Sequence, residues 1–546
     1  MRKYNFSVKT ALAVFAVALS ACSSDDDIAD NNSNSQEKPV TNKTMTFRAT
    51  MDDGSGSNSK ATRTDFNGNN TIWATDDNIY IQNKASVPDE TDRPAYAEFG
   101  ITDGVGTKEA DFSGGPIRAN MDGTSDQFYA YYPSSSFDTD NEVMTGNIPT
   151  VQTPTDGTYP QTLHYMTAYS TNSTFKFKNV CALLKITLTN NPTSEDANPV
   201  CRVKVVANPT LSAMDAQKFT YTSIAGNFEA TVNTDGIATA IPKLAEDEVE
   251  KTFVELRAAS DNGTAKTSLG NGTFYMVVLP ATISNGFTLL LEKKDGTIYQ
   301  RINTKITSFD RNQMYNLGTY NCSSTPTDMT SLGNDVVDLD LPSGTIWCKK
   351  NVTKSGTLGS SKVNGFASAE TEYGDYFSWG KTYFTGRTLY GSTPSHPDYT
   401  LANQYDAVYS YNQKYCMPIY AQAFELANGT YKSKTSSTSG NGGARLTTAT
   451  GRSIFLPYGG HYYSTVTSLA TGASDDGSEG DYWTRTFYGR ATINNFAYCL
   501  DWKHSNNIPI IDNHSGADLA IEWADNIICG RTIRPVITNN QIAPIK

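Results

Sequence analysis

Cys22 follows Leu19-Ser20-Ala21. Small residues just before a cysteine admit a peptidase, and the thiolate is the one nucleophile there able to accept a diacylglyceryl group. Elsewhere the residues that do chemistry are sparse. Five histidines serve 546 residues, none of them in H-E-x-x-H or paired four apart, and G-x-S-x-G, Walker and dinucleotide-binding patterns are missing. His461 and His504 read as surface or turn histidines, because a general base needs an oriented partner. Ser474 to Asp481 (SDDGSEGD) gathers four carboxylates in seven residues, oxygen ligands of the kind Ca²⁺ takes, yet the spacing is not that of an EF-hand. A solvated turn is expected, with no metal and no cofactor. Tyr376, Trp379, Tyr482, Trp483 and Trp502 could stack on the apolar faces of a sugar and are the candidate ligand-binding residues. Trp502, set among polar residues in Asp501-Trp502-Lys503-His504, is the one expected to be exposed; aromatics of this kind otherwise tend to fill cores.

The elements around Cys22 fit its chemistry. Arg2, Lys3 and Lys9 precede the nine-residue apolar run Ala11 to Leu19, too short for the ~20 residues of a membrane-spanning helix, so residues 1–21 read as a signal peptide. The four residues ending at Cys22 resemble a bacterial lipobox, and Cys22 is the expected lipidation site. Acyl chains contribute ~0.8 kcal/mol per buried CH₂, enough in sum to hold a protein on an outer membrane. Ser23 to Asp27 then resembles the acidic export tag of Bacteroidetes surface lipoproteins, and residues 22–42 are too polar to fold, which predicts a disordered tether.

Composition narrows the rest. The formal net charge is −12 and no Lys/Arg block is present, so a nucleic-acid partner is excluded, since such binding depends on neutralising phosphates. Charged residues are 18% of the chain while aromatics reach 11%, a surface of Tyr, Thr, Ser and Asn typical of secreted β proteins. The seven remaining cysteines include no C-x₂-C pair. Cys181 and Cys201, at matching ends of two β-like runs, are candidates for a cross-strand disulfide.

Met45 to Met51 alternates Met45, Phe47, Ala49 and Met51 on one face, the period of a half-buried strand. Asp52 to Ser59 (DDGSGSNS) is flexible and protease-accessible by composition, and it leads to Arg63 and Thr64. Short β runs follow to residue 172. A longer run from Ser173 opens a second β body, in which Cys201 to Ala207 forms a return strand and Lys294-Asp295-Gly296-Thr297 a hairpin turn. After the polar stretch Asn321 to Asn334 the composition shifts: five of six Trp and 17 of 31 Tyr lie beyond residue 334.

Thr62 to Ile81 (TRTDFNGNNTIWATDDNIYI), Phe175 to Leu188, Gly272 to Asn285 (GTFYMVVLPATISN) and Ser308 to Asn321 (SFDRNQMYNLGTYN) resemble, in that order, the landmarks of the Bacteroidales fimbrillin family. Val337 to Val352 (VDLDLPSGTIWCKKNV), Glu372 to Thr382 (EYGDYFSWGKT), Ser453 to Tyr458, Gly480 to Thr486 (GDYWTRT) and Arg531 to Val536 (RTIRPV) resemble the Fibrobacter succinogenes major paralogous domain. Tyr415 to Leu426 departs from that family's pattern, although Ile419 to Leu426 is the best helical candidate.

These resemblances imply a mainly β protein: two transthyretin-like β-sandwiches followed by an α+β, C-type-lectin-like domain. The implied division is a first sandwich at 43–172, a second at 173–321, a linker at 322–334 and the lectin-like domain at 335–546. The missing catalytic patterns predict a non-enzyme, and the fimbrillin resemblance implies a pilus subunit assembled with fimbrillin stalk subunits by strand exchange. Cleavage after Arg63, with Arg48 second, would free Met45 to Met51 and leave Thr64 as the new N-terminus; an uncut Arg63 is the equal alternative. A folded C-terminal domain implies a tip adhesin facing a glycan or protein ligand. The alternative is a monomeric, surface-exposed glycan-binding lipoprotein that keeps its first strand.

Overall fold

The computed structural model describes residues 44–51, 72–85, 93–120, 125–194, 197–211, 218–236, 238–244, 249–261, 265–355, 362–378, 406–437, 442–462, 479–490, 493–503, 509–510 and 530–537. The fold is mainly β, and residues from Thr44 onward form one compact unit.

Alternating side chains build the first body. β1 (Met45–Met51) buries Phe47 and Ala49 and turns Arg48 outward. β2 (Asn78–Asn83) contributes Ile79 and Ile81, β3 (Tyr96–Asp103) Phe99, and β4 (Glu109–Gly114) Ala110 and Phe112. β5 (Phe128–Tyr132) is buried on both faces: Phe128, Ala130 and Tyr132 enter this core, while Tyr129 and Tyr131 enter the next one. With Met166–Ser170 and Thr174–Asn179 these strands close a barrel, so the expected sandwich is hydrogen-bonded around its whole circumference. Trp73 anchors the interior. Its ring lies edge-on to Phe112, Tyr132 and Phe177 at 4.9 to 5.5 Å, and its indole N–H donates to the Lys108 carbonyl at 3.2 Å. The Asp77 carboxylate beneath it accepts from the Tyr132 hydroxyl and the Ala74 amide, both at 2.6 Å.

The second body has Ala182–Thr189 at the centre of one sheet, antiparallel to Gly272–Val278 and parallel to Met314–Asn321. Val200–Ala207 lies inside a six-stranded sheet between Phe253–Arg257 and Phe287–Lys293. The hairpin expected at Lys294 to Thr297 joins Phe287–Lys293 to Ile298–Asn303, with Gly296 at φ +84°. The sequence boundary at 172/173 falls between two strands that pair with each other in the barrel, Met166–Ser170 and Thr174–Asn179. In the opposite sense, Val143–Ile148 and Val151–Gln152 pair with strands of the second body. The stretch 322–334, expected as a linker, contributes strand Thr330–Gly333 to the edge of the six-stranded sheet and buries Met329 and Leu332.

Beyond it, Val336–Asp338, Ile346–Cys348, Val536–Ile537 and Tyr415–Cys416 form a small sheet. Two helices pack nearby. α1 (Ala407–Tyr411) is capped by Asp406, whose carboxylate accepts from the Val408 and Tyr409 amides at 2.9 and 3.1 Å. α2 (Tyr420–Asn428) occupies the expected helical segment, and the Gln422 side chain reaches back to the Ile419 amide at 3.0 Å.

Phe47 touches Phe99, Phe128 and Phe175 with ring centroids 5.1 to 5.4 Å away. Phe47→Ala leaves a cavity among three rings and should lower stability by about 3 to 5 kcal/mol in urea unfolding. Thr46→Ala, on the exposed side of the same strand, should stay within about 0.5 kcal/mol.

Candidate functional site

Among the described residues, β1 is the barrel strand farthest in sequence from its neighbours on both sides, and its pairing defines the first candidate site. It runs antiparallel to β4, from Met45 opposite Gly114 to Thr50 opposite Glu109, and parallel to Thr174–Asn179, with Ala49 opposite Phe175. Inward, Phe47 and Ala49 are fully buried. Outward, the Arg48 guanidinium meets Glu109 at 2.5 Å and Asp111 at 3.8 Å; more than half of its side chain is exposed, so the pair contributes little stability. The backbone at Arg48 is paired on both sides, which closes the peptide bond after it to a protease that needs an extended, free segment. Cys22, Arg63 and Thr64 lie outside the described residues.

Three of the five candidate aromatics belong to the core of the protein. Tyr376, Tyr482 and Trp483 are buried, each with its polar atom already bonded inside the protein. The Tyr376 hydroxyl donates to the Gly459 carbonyl, that of Tyr482 to the Pro457 carbonyl at 2.6 Å, and the Trp483 indole N–H to the Phe377 carbonyl at 2.7 Å. Rings spent on the core cannot stack on a ligand. Trp502 falls on strand Ile493–Lys503 opposite Gly480 and Pro509, its side chain outside the described residues, as is Trp379. Asp481, from the carboxylate-rich segment, pairs with Arg531 at 2.9 Å. Among the described residues no group of three or more His, Cys, Asp or Glu is placed to hold a metal ion.

The disulfide expectation is corrected as well. Cys181 and Cys201 are separate buried thiols; Cys181 precedes strand Ala182–Thr189 and Cys201 lies on Val200–Ala207, a strand of another sheet. Burial pushes both thiols up to about 12, which leaves them unreactive at neutral pH.

The most heavily charged site in the described residues is one that composition and spacing leave unassigned. Val200–Ala207 sends Val203 and Val205 into the core of the second body. From the other face Arg202 and Lys204 project, and a surface strand would leave them in water, but here they are covered by the segment Asp338-Leu339-Asp340-Leu341-Pro342-Ser343-Gly344. Arg202 pairs with Glu255 at 2.5 Å, Asp340 at 2.7 Å, Asp338 at 2.8 Å and Glu292 at 2.9 Å. Lys204 meets Asp338 at 2.8 Å and Asp340 at 2.9 Å, with its ammonium 3.9 Å from the Phe253 ring centre. Arg452, from the C-terminal module that starts with strand Val336–Asp338, closes the cluster on Glu292 at 3.1 Å and Asp340 at 3.2 Å. Burial alone would raise the two aspartates, but the Lys204 and Arg202 cations outweigh it and hold both below the usual carboxylate range, Asp340 well below.

Beside the cluster the contact continues with uncharged partners. Thr252 donates to the Pro342 carbonyl at 2.7 Å. Gly344 sits at φ +69°, and a Cβ there would meet the Val206 side chain at 2.9 Å, so the left-handed turn and its close packing on Val206 both favour glycine. Glu425 of α2 accepts from the Ser343 amide at 2.6 Å, the Ser343 hydroxyl and the Tyr221 hydroxyl at 2.9 Å. Burial pushes its carboxyl up to about 7 against the lowering effect of those donors.

Comparison with solved structures gives similarities over about half of the chain. A candidate cell adhesion protein from Bacteroides uniformis is 17% identical, with 53% of this chain and 98% of that one covered and a TM-score of 0.33. The tip fimbrial protein Mfa3 of Porphyromonas gingivalis, with a C-terminal truncation, is 11% identical, with 53% and 97% covered and a TM-score of 0.26. A fimbrial protein of Bacteroides ovatus is 12% identical, with 53% and 54% covered and a TM-score of 0.19. Neither a family model nor a curated protein matches the chain.

The sign of the pH effect follows from Glu425. Its folded value lies above the ordinary glutamate value, so the unfolded chain releases its proton first and stability falls as pH rises from about 4.5 through 7. Asp338 and Asp340, held low, lose their contribution only below that window. Unfolding of the chain between pH 5 and pH 8 should therefore show a loss of roughly 2 to 3 kcal/mol, and Glu425→Gln should flatten that slope.

Proposed function

We propose that the protein is a fimbrial subunit of the bacterial cell surface, assembled by strand exchange at the β1 slot and carrying a C-terminal binding module. The observation that carries this reading is β1 itself. A single strand, joined to the rest of its barrel by a Gly/Ser/Asp-rich segment, completes both the hydrogen bonding and the aromatic core of that barrel. A strand of that kind can be exchanged for one from another chain without altering its neighbours: main-chain bonds supply the affinity, and Phe47-type and Ala49-type positions the register.

The resemblance to fimbrillins extends the reading. Lipidation at Cys22 delivers the precursor to the outer membrane, cleavage after Arg63 releases β1 with Thr64 as the new N-terminus, and a fimbrillin stalk subunit refills the slot. The folded module that follows the second body, the lectin-like domain of the resemblance, supports a tip position, where it faces a glycan or protein ligand. The activity is binding, not catalysis. A stand-alone surface lipoprotein is the second reading, favoured by the completeness of the barrel with β1 in place.

Digestion of the lipid-free precursor with an arginine-specific protease, followed by N-terminal mass spectrometry and capture of stalk subunits, separates the two. Strand exchange predicts Thr64 as the N-terminus and capture only after trimming. An uncut chain, or a trimmed one that captures nothing, favours the stand-alone binder.

A further inference from the structure

We infer that the sheet face bearing Arg202 and Lys204 is a built socket for an acidic Asp-x-Asp plug at the head of the following module, and that this plug fixes the module's orientation on the second body. The inference does not depend on strand exchange, since a stand-alone surface binder would use the same joint.

The second body brings Arg202, Lys204 and Arg257 against Glu255 and Glu292; the module brings Asp338 and Asp340 against Arg452. Both carboxylates that pair with Lys204, and two of the four that pair with Arg202, come from the module. Arg202, Lys204, Glu255 and Asp338 each have at most 1% of the side chain exposed. The covering segment creates this burial, so the module has to bring the matching carboxylates with it: an apolar cover would leave Arg202 and Lys204 in a dry site short of partners. A buried cluster of this kind adds little net stability over an apolar contact, but it punishes misplacement severely, because any shift strands a charge in a dry site. It therefore fixes orientation.

The remaining contacts of the plug make the same point by shape. Leu339 and Leu341 anchor it in the core of the module, while its turn presses Gly344 onto Val206 and its Pro342 carbonyl takes the Thr252 hydroxyl. Leu290, on the strand next to Val200–Ala207, packs in one cluster with Val336, Ile346 and Ile537 of the module. Pulling the module from the second body has to break this whole set at once. Strand Thr330–Gly333, held by three register pairs at a sheet edge, is the weaker connection.

The test uses the full-length chain with Asp338→Asn and Asp340→Asn together. Amide hydrogen exchange is read in three regions: Val200–Ala207 and Ile346–Cys348 at the joint, and β2 in the distant barrel. The joint amides are expected to exchange at least a hundredfold faster, from the ~3 to 5 kcal/mol scale of an orphaned buried charge, while β2 keeps its protection and shows that the chain is folded. Asp335→Asn, which removes an exposed pair with Lys350, is expected to change neither. Unchanged exchange at the joint in the double variant, or equal loss in β2 and at the joint, would overturn the proposal, the first because the charges do not hold the joint and the second because they hold the whole fold. Rescue is the further check. Arg202→Met and Lys204→Met added to the double variant should recover most of the lost protection, and no recovery would also count against the socket.

Discussion

A β-strand removed from between two neighbours leaves two rows of backbone donors and acceptors with nothing to bond, and the first barrel is organised around that constraint. β1 satisfies β4 on one side and Thr174–Asn179 on the other. At roughly 0.5 to 1.5 kcal/mol net per hydrogen bond, and a larger penalty for each buried group left unmet, the slot must be filled for the barrel to persist. Phe47 adds an apolar requirement to the polar one, since three phenylalanine rings converge on it. The outer ion pairs of Arg48 are solvent-screened and decide little.

The second organising feature is a charge cluster used as a joint. Inside the second body ordinary alternation holds, with Val203 and Val205 inward. Outside it, the face that would meet water meets the module instead, so Val200–Ala207 is buried along its entire length. β5 behaves similarly at the other end of the second body, where Tyr129 and Tyr131 leave the barrel core for the next one. The successive bodies thus share strands with two buried faces rather than hanging from a flexible thread. Thr330–Gly333, set in a sheet edge within the polar stretch, follows the same pattern.

What was legible in the sequence is what depends on local periodicity. The Phe47 and Ala49 alternation, the Asp-Gly turn after Phe287–Lys293 and the α2 segment all follow from side-chain spacing and turn chemistry. The failures are tertiary. CRVKVVA reads as a half-exposed strand because nothing local announces that Asp338 and Asp340 will cover it. Cys181 and Cys201 look matched along the chain but are separate buried thiols. Trp483 and Tyr482 carry the same ring types whether they stack on a sugar or on a core, and only the bonds to Phe377 and Pro457 decide. The plug itself lay inside a quoted landmark, and a D-x-D pair spaced to put both carboxylates on one face was the available signal for it.

The central claim is that the β1 slot is an exchangeable position. The most direct measurement is backbone hydrogen exchange at Glu109–Gly114 and Thr174–Asn179, taken on the intact chain, on the chain cut in the segment after β1, and on the cut chain bound to a fimbrial subunit. The account predicts protection in the first state, its loss in the second as β1 departs, and its return in the third. Protection that is the same in all three states would contradict it.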